Sequence, residues 1–297
     1  MNEIVSKSVL LSSTFEEGAY AKRIAHVMNR MGYIVSIFDH RQASYKGYEF
    51  LNKNFKHVLR FIKPDILFVI KGQGLDPKEI KDFNGLTVNW WLDYNKRWGY
   101  FQSLYEVFDR MYLCENEQGY DWMPIGIDTE YHRPVAPTAD IFKSDIAFAG
   151  TNHPKRTPRI REIVKGIPYE FALWGNGYHK ANPYVRGNAV YDDNLMMVYS
   201  GAKLILNNHY IKGITPNMRA FEAPATGTAM LSDSGSGLEK CLNRGSEYIA
   251  YDSFREARYL IRKYIEEPEE REKIALAGLL RLQKDHRLET RIEEMLK

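Results

Sequence analysis

The segment from Ser200 to Glu239, SGAKLILNNHYIKGITPNMRAFEAPATGTAMLSDSGSGLE, holds the residues whose types and spacing could do chemistry. Arg219 and Glu222 are three apart, which on a helix puts a guanidinium and a carboxylate on one face. Asn207, Asn208 and His209 follow Ala202 to Leu206, an apolar run that reads as a buried strand. Thr215-Pro216 has the form of a helix start, with Thr215 as N-cap and Pro216 in the first helical position; Gly227 ends that helix. The free N–H groups and positive dipole end of a helix suit an anion, typically a phosphate. In open α/β sheets ligands sit outside the carboxyl ends of strands. The segment therefore reads as half of a nucleotide-phosphate site.

Other residues fall at comparable places. Gly150 and Thr151 follow the apolar run Asp145 to Ala149, and a small residue there lets a ligand approach the backbone closely. Lys155 or Arg156 could neutralise a phosphate, or the pair could belong to a solvated basic loop. Asp93 is a carboxylate placed just after the apolar run Leu86 to Trp90. It is either a general base toward an acceptor hydroxyl or the N-cap of a helix over Tyr94 to Phe101. Asp192-Asp193 precedes Leu195 to Tyr199 and reads as a helix cap; no metal site is expected. Gly72-x-Gly74 lacks the final glycine and the long helix of a dinucleotide fingerprint.

The elements that must position these residues alternate. In the first half, strands are expected at Ser8–Leu11, Tyr33–Phe38, Ile66–Ile70, Leu86–Trp90 and Met111–Cys114. Helices are expected at Phe15–Met31, Tyr48–Ile62 and Pro77–Asp82. The second half repeats the alternation with strands at Asp145–Ala149, Tyr169–Trp174, Ala202–Leu206 and Thr228–Leu231. It closes on helices at Arg255–Glu267, Glu269–Lys284 and Leu288–Leu296. Between the halves, Met123–Pro134 is rich in Pro and Gly and has no period, so the linker is expected near Thr129 to Asp140. The fold class is α/β, with two Rossmann-like, doubly wound domains: residues 1–128, residues 141–281, and a helix over 282–297 that crosses back to the first domain.

Composition sets limits on function. The 297 residues suffice for two domains, and 44% apolar with 27% charged residues is ordinary for a soluble globular chain. Aromatic content is 13%, with 20 Tyr, which suits sugar and base surfaces but equally an aromatic-rich core. A net charge of +3 does not by itself argue for nucleic acid. Two cysteines, Cys114 and Cys241, make neither a metal-ligand spacing nor a disulfide framework, so a reducing cytoplasm is expected. No signal peptide and no membrane-spanning run is read from the sequence.

The linker MPIGIDTEYHRP, the block AKLILNNH…NMRAFEAPATGTAMLSD followed by GSEYIAY, and the ending REKIALAGLLRLQKDHRLETRIEEML together resemble the C-terminal half of the CgeB-like (spore-maturation type) GT-B glycosyltransferases of group 1. That resemblance implies two domains facing a cleft, the acceptor on the first and the nucleotide sugar on the second. It implies a transferase, hexosyltransferase-like, that moves a sugar from a UDP- or GDP-linked donor to a hydroxyl without a metal or another cofactor. On the residues, it implies that Glu222 bonds the ribose and that Arg219 reaches the diphosphate or pairs with Glu222. The backbone of Asn217, Met218 and Arg219 would hold the diphosphate, with Gly150 and Thr151 opposite. Asn208 would position donor or acceptor, and Tyr178 and Tyr191 would contact the base. A second glutamate eight positions before Glu222 belongs to the family pattern, but Ile214 stands there, so donor sugar and anomeric outcome stay open. Pro224 should kink the helix. The acceptor stays open among a glycan, a protein and a small molecule. Two further readings remain: a catalytically silent GT-B module that binds carbohydrate or serves assembly, and a transferase acting on a modified DNA base. Lys53, Lys56, Arg60 and Lys63 permit the latter.

Overall fold

A computed structural model describes residues 6–93, 101–116, 119–209 and 216–297. The chain forms two compact units. One is Met1–Ile125 together with Leu288–Lys297, the other Gly126–Arg287. Residues of the expected linker belong to the second unit, where Tyr131 and Val135 pack against buried side chains of its core.

The first unit runs β1 (Ser8–Ser13), α1 (Tyr20–Arg30), β2 (Ile34–Asp39), α2 (His40–Ser44), α3 (Tyr48–Ile62), β3 (Ile66–Ile70), α4 (Pro77–Lys81), β4 (Leu86–Trp91), α5 (Phe101–Tyr105), β5 (Arg110–Leu113) and β6 (Asp121–Trp122). All pairings are parallel, in the order β2-β1-β3-β4-β5-β6. β3, ILFVI, is buried at every position, as a strand covered on both faces must be. Leu51, Phe55 and Leu59 of α3 recur at helical spacing and pack with Leu10, Leu67 and Val69 on one face of the sheet.

The second unit runs β7 (Ser144–Ala149), α6 (Thr157–Val164), β8 (Phe171–Trp174), β9 (Val185–Gly187), α7 (Asp192–Ser200), β10 (Ala202–Asn207), α8 (Arg219–Ala225), β11 (Ala229–Asp233), α9 (Ser236–Glu239), β12 (Ile249–Tyr251), α10 (Phe254–Glu266) and α11 (Pro268–Asp285). Its sheet is again parallel, ordered β12-β11-β10-β7-β8-β9. The order reverses between β7 and β10, the switch point at which such sheets take ligands. The last helix, α12 (Leu288–Leu296), packs in the first unit, where Arg30 pairs with Glu289 and Arg110 Nη1 donates to the Met295 carbonyl at 3.0 Å.

Several expectations need correction. α1 starts at Tyr20 rather than Phe15, because residues 16–19 form a turn in which Gly18 has φ +70°. α8 starts at Arg219, so Pro216 precedes the helix rather than opening it; Thr215, expected as N-cap, lies outside the described residues. Pro224 lies inside α8. It sits one residue from the end, where the helix stops at Thr226 and Gly227 takes φ +72°. Asp192 and Asp193 occupy the first turn of α7 without capping it; Tyr191 is the N-cap residue and makes no side-chain cap bond. β6 and β9 span two and three residues, too short for any alternation to show in sequence.

Candidate functional site

The strand ends at the β7/β10 switch point are held by one side chain. Arg219, buried at the start of α8, donates Nε to the Ala149 carbonyl at 3.0 Å and Nη1 to Asn207 Oδ1 at 2.8 Å. Its Nη2 also reaches the Ala149 carbonyl. The guanidinium lies over the Phe148 ring, 4.1 Å from the centroid. Planar, fixed donors of this kind match two acceptors at once, which a lysine does not. Among the described residues no ion pair joins Arg219 to Glu222. The helical spacing is as expected, but the guanidinium turns toward the strand ends.

Gly150 makes room for that arrangement. A Cβ there would come 2.6 Å from Arg219 Nη2 and 3.1 Å from the Phe148 ring. Arg156 Nη2 donates to the Thr151 carbonyl at 2.6 Å, and its guanidinium lies 5.1 Å from the same Phe148 ring. Tyr178, in the loop after β8, stands within the fields of Arg156 and Arg219; burial raises its hydroxyl pKa and these two cations oppose the rise. Gly150, Thr151, Arg156, Tyr178 and Arg219 therefore gather around the ends of β7 and β8.

Asn217 joins the group from the other side. Its Nδ2 donates to Asn207 Oδ1 at 2.9 Å, and its Oδ1 accepts from the Ala220 N–H at 3.1 Å, as a capping side chain would. The Met218 carbonyl accepts from Phe221 N and Glu222 N, both at 2.9 Å, closing the first turn. Glu222 is half-buried on α8. It acts on the buried Tyr199 hydroxyl, whose pKa burial raises most and the Glu222 charge raises further, while Arg219 opposes both. Asn208 Nδ2 donates to the Tyr251 hydroxyl at 2.9 Å, so its amide nitrogen is committed to the end of β12.

A histidine–carboxylate pair completes the site. His209 Nδ1 lies 2.8 Å from Asp233 Oδ1, and the His209 N–H donates to the same carboxylate at 3.1 Å. Both residues are buried. Asn217 N–H points at His209 Nε2 over 3.4 Å, so the ring links the end of β11 to the entry of α8. Arg159 Nη1 donates to the His209 carbonyl at 3.1 Å. Sequence reasoning placed His209 at a strand end but gave it no role, and did not single out Asp233. The available signal was the position of both at the carboxyl ends of neighbouring apolar runs.

Two expected residues lie elsewhere. Tyr191 precedes α7, and no hydrogen bond or ring contact joins it to Arg219, Gly150 or Asn217 among the described residues. Asp93 belongs to the first unit, where its Oδ2 pairs with Lys71 Nζ at 2.7 Å at the ends of β3 and β4. Residues 94–100, which its alternative role as an N-cap would involve, lie outside the described residues, as does Ile214. Among the described residues no three His, Cys, Asp or Glu side chains gather as a metal would require, and no helix is long and apolar enough to cross a membrane.

Comparison with known proteins gives a partial likeness to one family and a likeness of fold. Residues 156–297 match the family described as glycosyl transferase-like. No curated protein matches the chain. Among solved structures, sucrose-phosphate synthase from Thermosynechococcus elongatus is 12% identical with a TM-score of 0.75, covering 97% of this chain and 97% of that one. The Anabaena protein HepE, in complex with UDP and glucose, is 10% identical with a TM-score of 0.71, covering 98% of each chain. A glycosyltransferase from Rickettsia africae is 12% identical with a TM-score of 0.70, covering 98% of this chain and 97% of that one. At such identities the likeness concerns the fold. Residues 156–297 are thus similar to the glycosyl transferase-like family, and the chain has the two-sheet α/β fold of the GT-B glycosyltransferases.

Proposed function

We propose that the protein is a glycosyltransferase of the CgeB-like type that takes its sugar from a nucleoside diphosphate. The observation that carries this reading is the meeting of Arg219, Asn217 and the His209–Asp233 pair at the carboxyl ends of β7, β10 and β11. Fixed N–H groups and a cationic side chain at a sheet's switch point are what a leaving diphosphate needs. HepE, of the same fold, holds UDP and UDP-glucose in its complexes, which supports a uridine donor; GDP remains the alternative.

In the reaction, the bond between the sugar's anomeric carbon and the phosphate oxygen breaks, and a bond to the acceptor oxygen forms. Charge grows on the leaving diphosphate. The buried Arg219 contributes positive potential and holds Gly150 against the diphosphate, while the imidazole fixed by Asp233 orients the backbone at Asn217. Glu222 takes the ribose hydroxyls. The acceptor's proton passes to a general base if the reaction inverts, or to the departing phosphate oxygen if it retains. No metal is needed where protein donors supply this stabilisation. Two buried free thiols suit a cytoplasmic setting.

The test is calorimetric titration with UDP and GDP, followed by assay of nucleoside diphosphate release from their sugars with and without chelator. Binding and chelator-resistant release are expected. Failure of both nucleotides to bind would overturn the donor reading, and release abolished by chelator would overturn the metal-independent one.

A further inference from the structure

We propose that the outer face of α3 docks the protein on an anionic membrane surface. Between Arg41 and Lys63 six basic residues stand against Glu49 alone, a net of +5, while the whole chain carries +3; the remaining residues therefore total −2. Arg41 is paired with Glu16 and Lys56 with Glu79. Lys46, Lys53, Arg60 and Lys63 form no ion pair among the described residues. Four cations on one helix and its ends make a positive face that suits an anionic partner.

The aromatic residues decide what kind. Leu51, Phe55 and Leu59 turn inward to the sheet, so the opposite line of α3 faces solvent. Phe50, His57 and Phe61 lie on that line, about two and three turns apart. Phe61 is 82% exposed and stacks against His57 with ring centroids 6.3 Å apart. Lys46 Nζ lies 5.0 Å from the Phe50 centroid, and Tyr45 and Tyr48 are exposed at the approach to the helix. Bare rings at the apex of a helix, flanked by Lys53 and Arg60, fit an interface where the rings enter the headgroup layer and the cations meet lipid phosphates. Duplex nucleic acid would use the cations and leave the rings unburied. A single strand needs a groove for its stacked bases, and a convex helix face offers none. The helix is held by its inner face, so the contact adds to the folded unit without rearranging it.

The experiment is co-sedimentation of the full chain with vesicles of phosphatidylcholine alone, and with about a third phosphatidylglycerol. Binding to the anionic vesicles only, weakened by salt, is expected. Lys53→Glu with Arg60→Glu should lower the partition coefficient by about tenfold or more. Phe50→Ser with Phe61→Ser should lower it by a similar factor, since both rings leave the interface. Lys165→Glu with Lys180→Glu makes the same change of charge on the other unit and should leave partitioning unchanged. Circular dichroism checks that each variant folds. Absence of vesicle binding overturns the proposal, as does equal loss in the control variant. Full binding by the serine variant, or duplex DNA binding without vesicle binding, also overturns it. None of these readouts involves a nucleotide, so they stand apart from the donor-site reading.

Discussion

Arg219 Nη1 donates to Asn207 Oδ1 at 2.8 Å, a buried bond that ties the start of α8 to the end of β10. The same guanidinium binds the Ala149 carbonyl at the end of β7, so one side chain spans the point where the strand order reverses. Removing it would take this donor from the buried Ala149 carbonyl, while Asn207 Oδ1 keeps its bond from Asn217 Nδ2. Arg219→Ala is therefore expected to lower unfolding stability by about 1–3 kcal/mol and to abolish nucleotide binding. Arg219→Lys should keep the charge yet lose the fork, retaining part of the stability and little affinity. Urea unfolding beside UDP titration checks both; a fully stable Arg219→Ala protein would remove the basis for the clamp.

Glu222 stands one turn into α8, half-buried, and its carboxylate is the acidic group proposed for the ribose. Glu222→Ala is expected to weaken UDP or GDP binding by about 1–3 kcal/mol, the scale of a hydrogen bond to a charged group. Glu222→Gln, which keeps an acceptor, should lose less. Unchanged affinity in the alanine variant, measured by calorimetry, would end the assignment.

The His209–Asp233 pair predicts an order of effects. Asp233→Ala strands both the His209 N–H and its ring Nδ1 in a buried place, so it should cost about 2–4 kcal/mol of stability. His209→Gln keeps a polar group facing Asp233 and should fold well, but bind nucleotide about tenfold less tightly. Thermal melts and UDP titration of the two variants separate these outcomes. Equal affinity in His209→Gln and the parent would show that the ring does not serve the donor site.

His40 makes stability depend on pH. It is buried beside Ser12, with Nδ1 3.1 Å from Oγ, and its pKa is lowered from 6.5 to about 4, chiefly by burial. Asp39 opposes the shift, while Lys71 and Arg41 add to it. Because the folded value lies below the unfolded one, the unfolded chain takes up the proton first as pH falls. His40 therefore imposes no penalty above pH 6.5. Below it stability falls until about pH 4, where the loss reaches about 3 kcal/mol. His40→Gln should flatten this slope. Urea unfolding at a series of pH values would show the parent losing stability relative to the variant as pH falls through that window, whereas parallel curves would count against His40 as the source.

Much of this architecture was legible from local pattern. α3, β3 and α12 fall where helical spacing, an all-apolar run and helical spacing again put them, because burial on one face or on both leaves a period in the residues themselves. The position of Gly150 and Asn208 after apolar runs marked the strand ends, the spacing of Arg219 and Glu222 marked one face of a helix, and the alternation of elements marked two doubly wound sheets. Edges were less legible. The start of α1 depends on Gly18 taking φ +70°, and the start of α8 on hydrogen bonds that Asn217 accepts from the Ala220 N–H, neither of which alters the hydrophobic period.

The sequence by itself determined which elements form and which polar residues stand at their ends, since those follow from backbone geometry and the cost of exposing apolar side chains. It could not say which way a polar side chain would turn. Three residues of spacing allowed Arg219 to face Glu222, yet the tertiary structure turned it onto Ala149 and Asn207, because a buried guanidinium is stable only where several acceptors converge on it. His209 and Asp233 are 24 residues apart and meet only because β10 and β11 lie side by side. Strand order is a long-range property, and the site is assembled by that order.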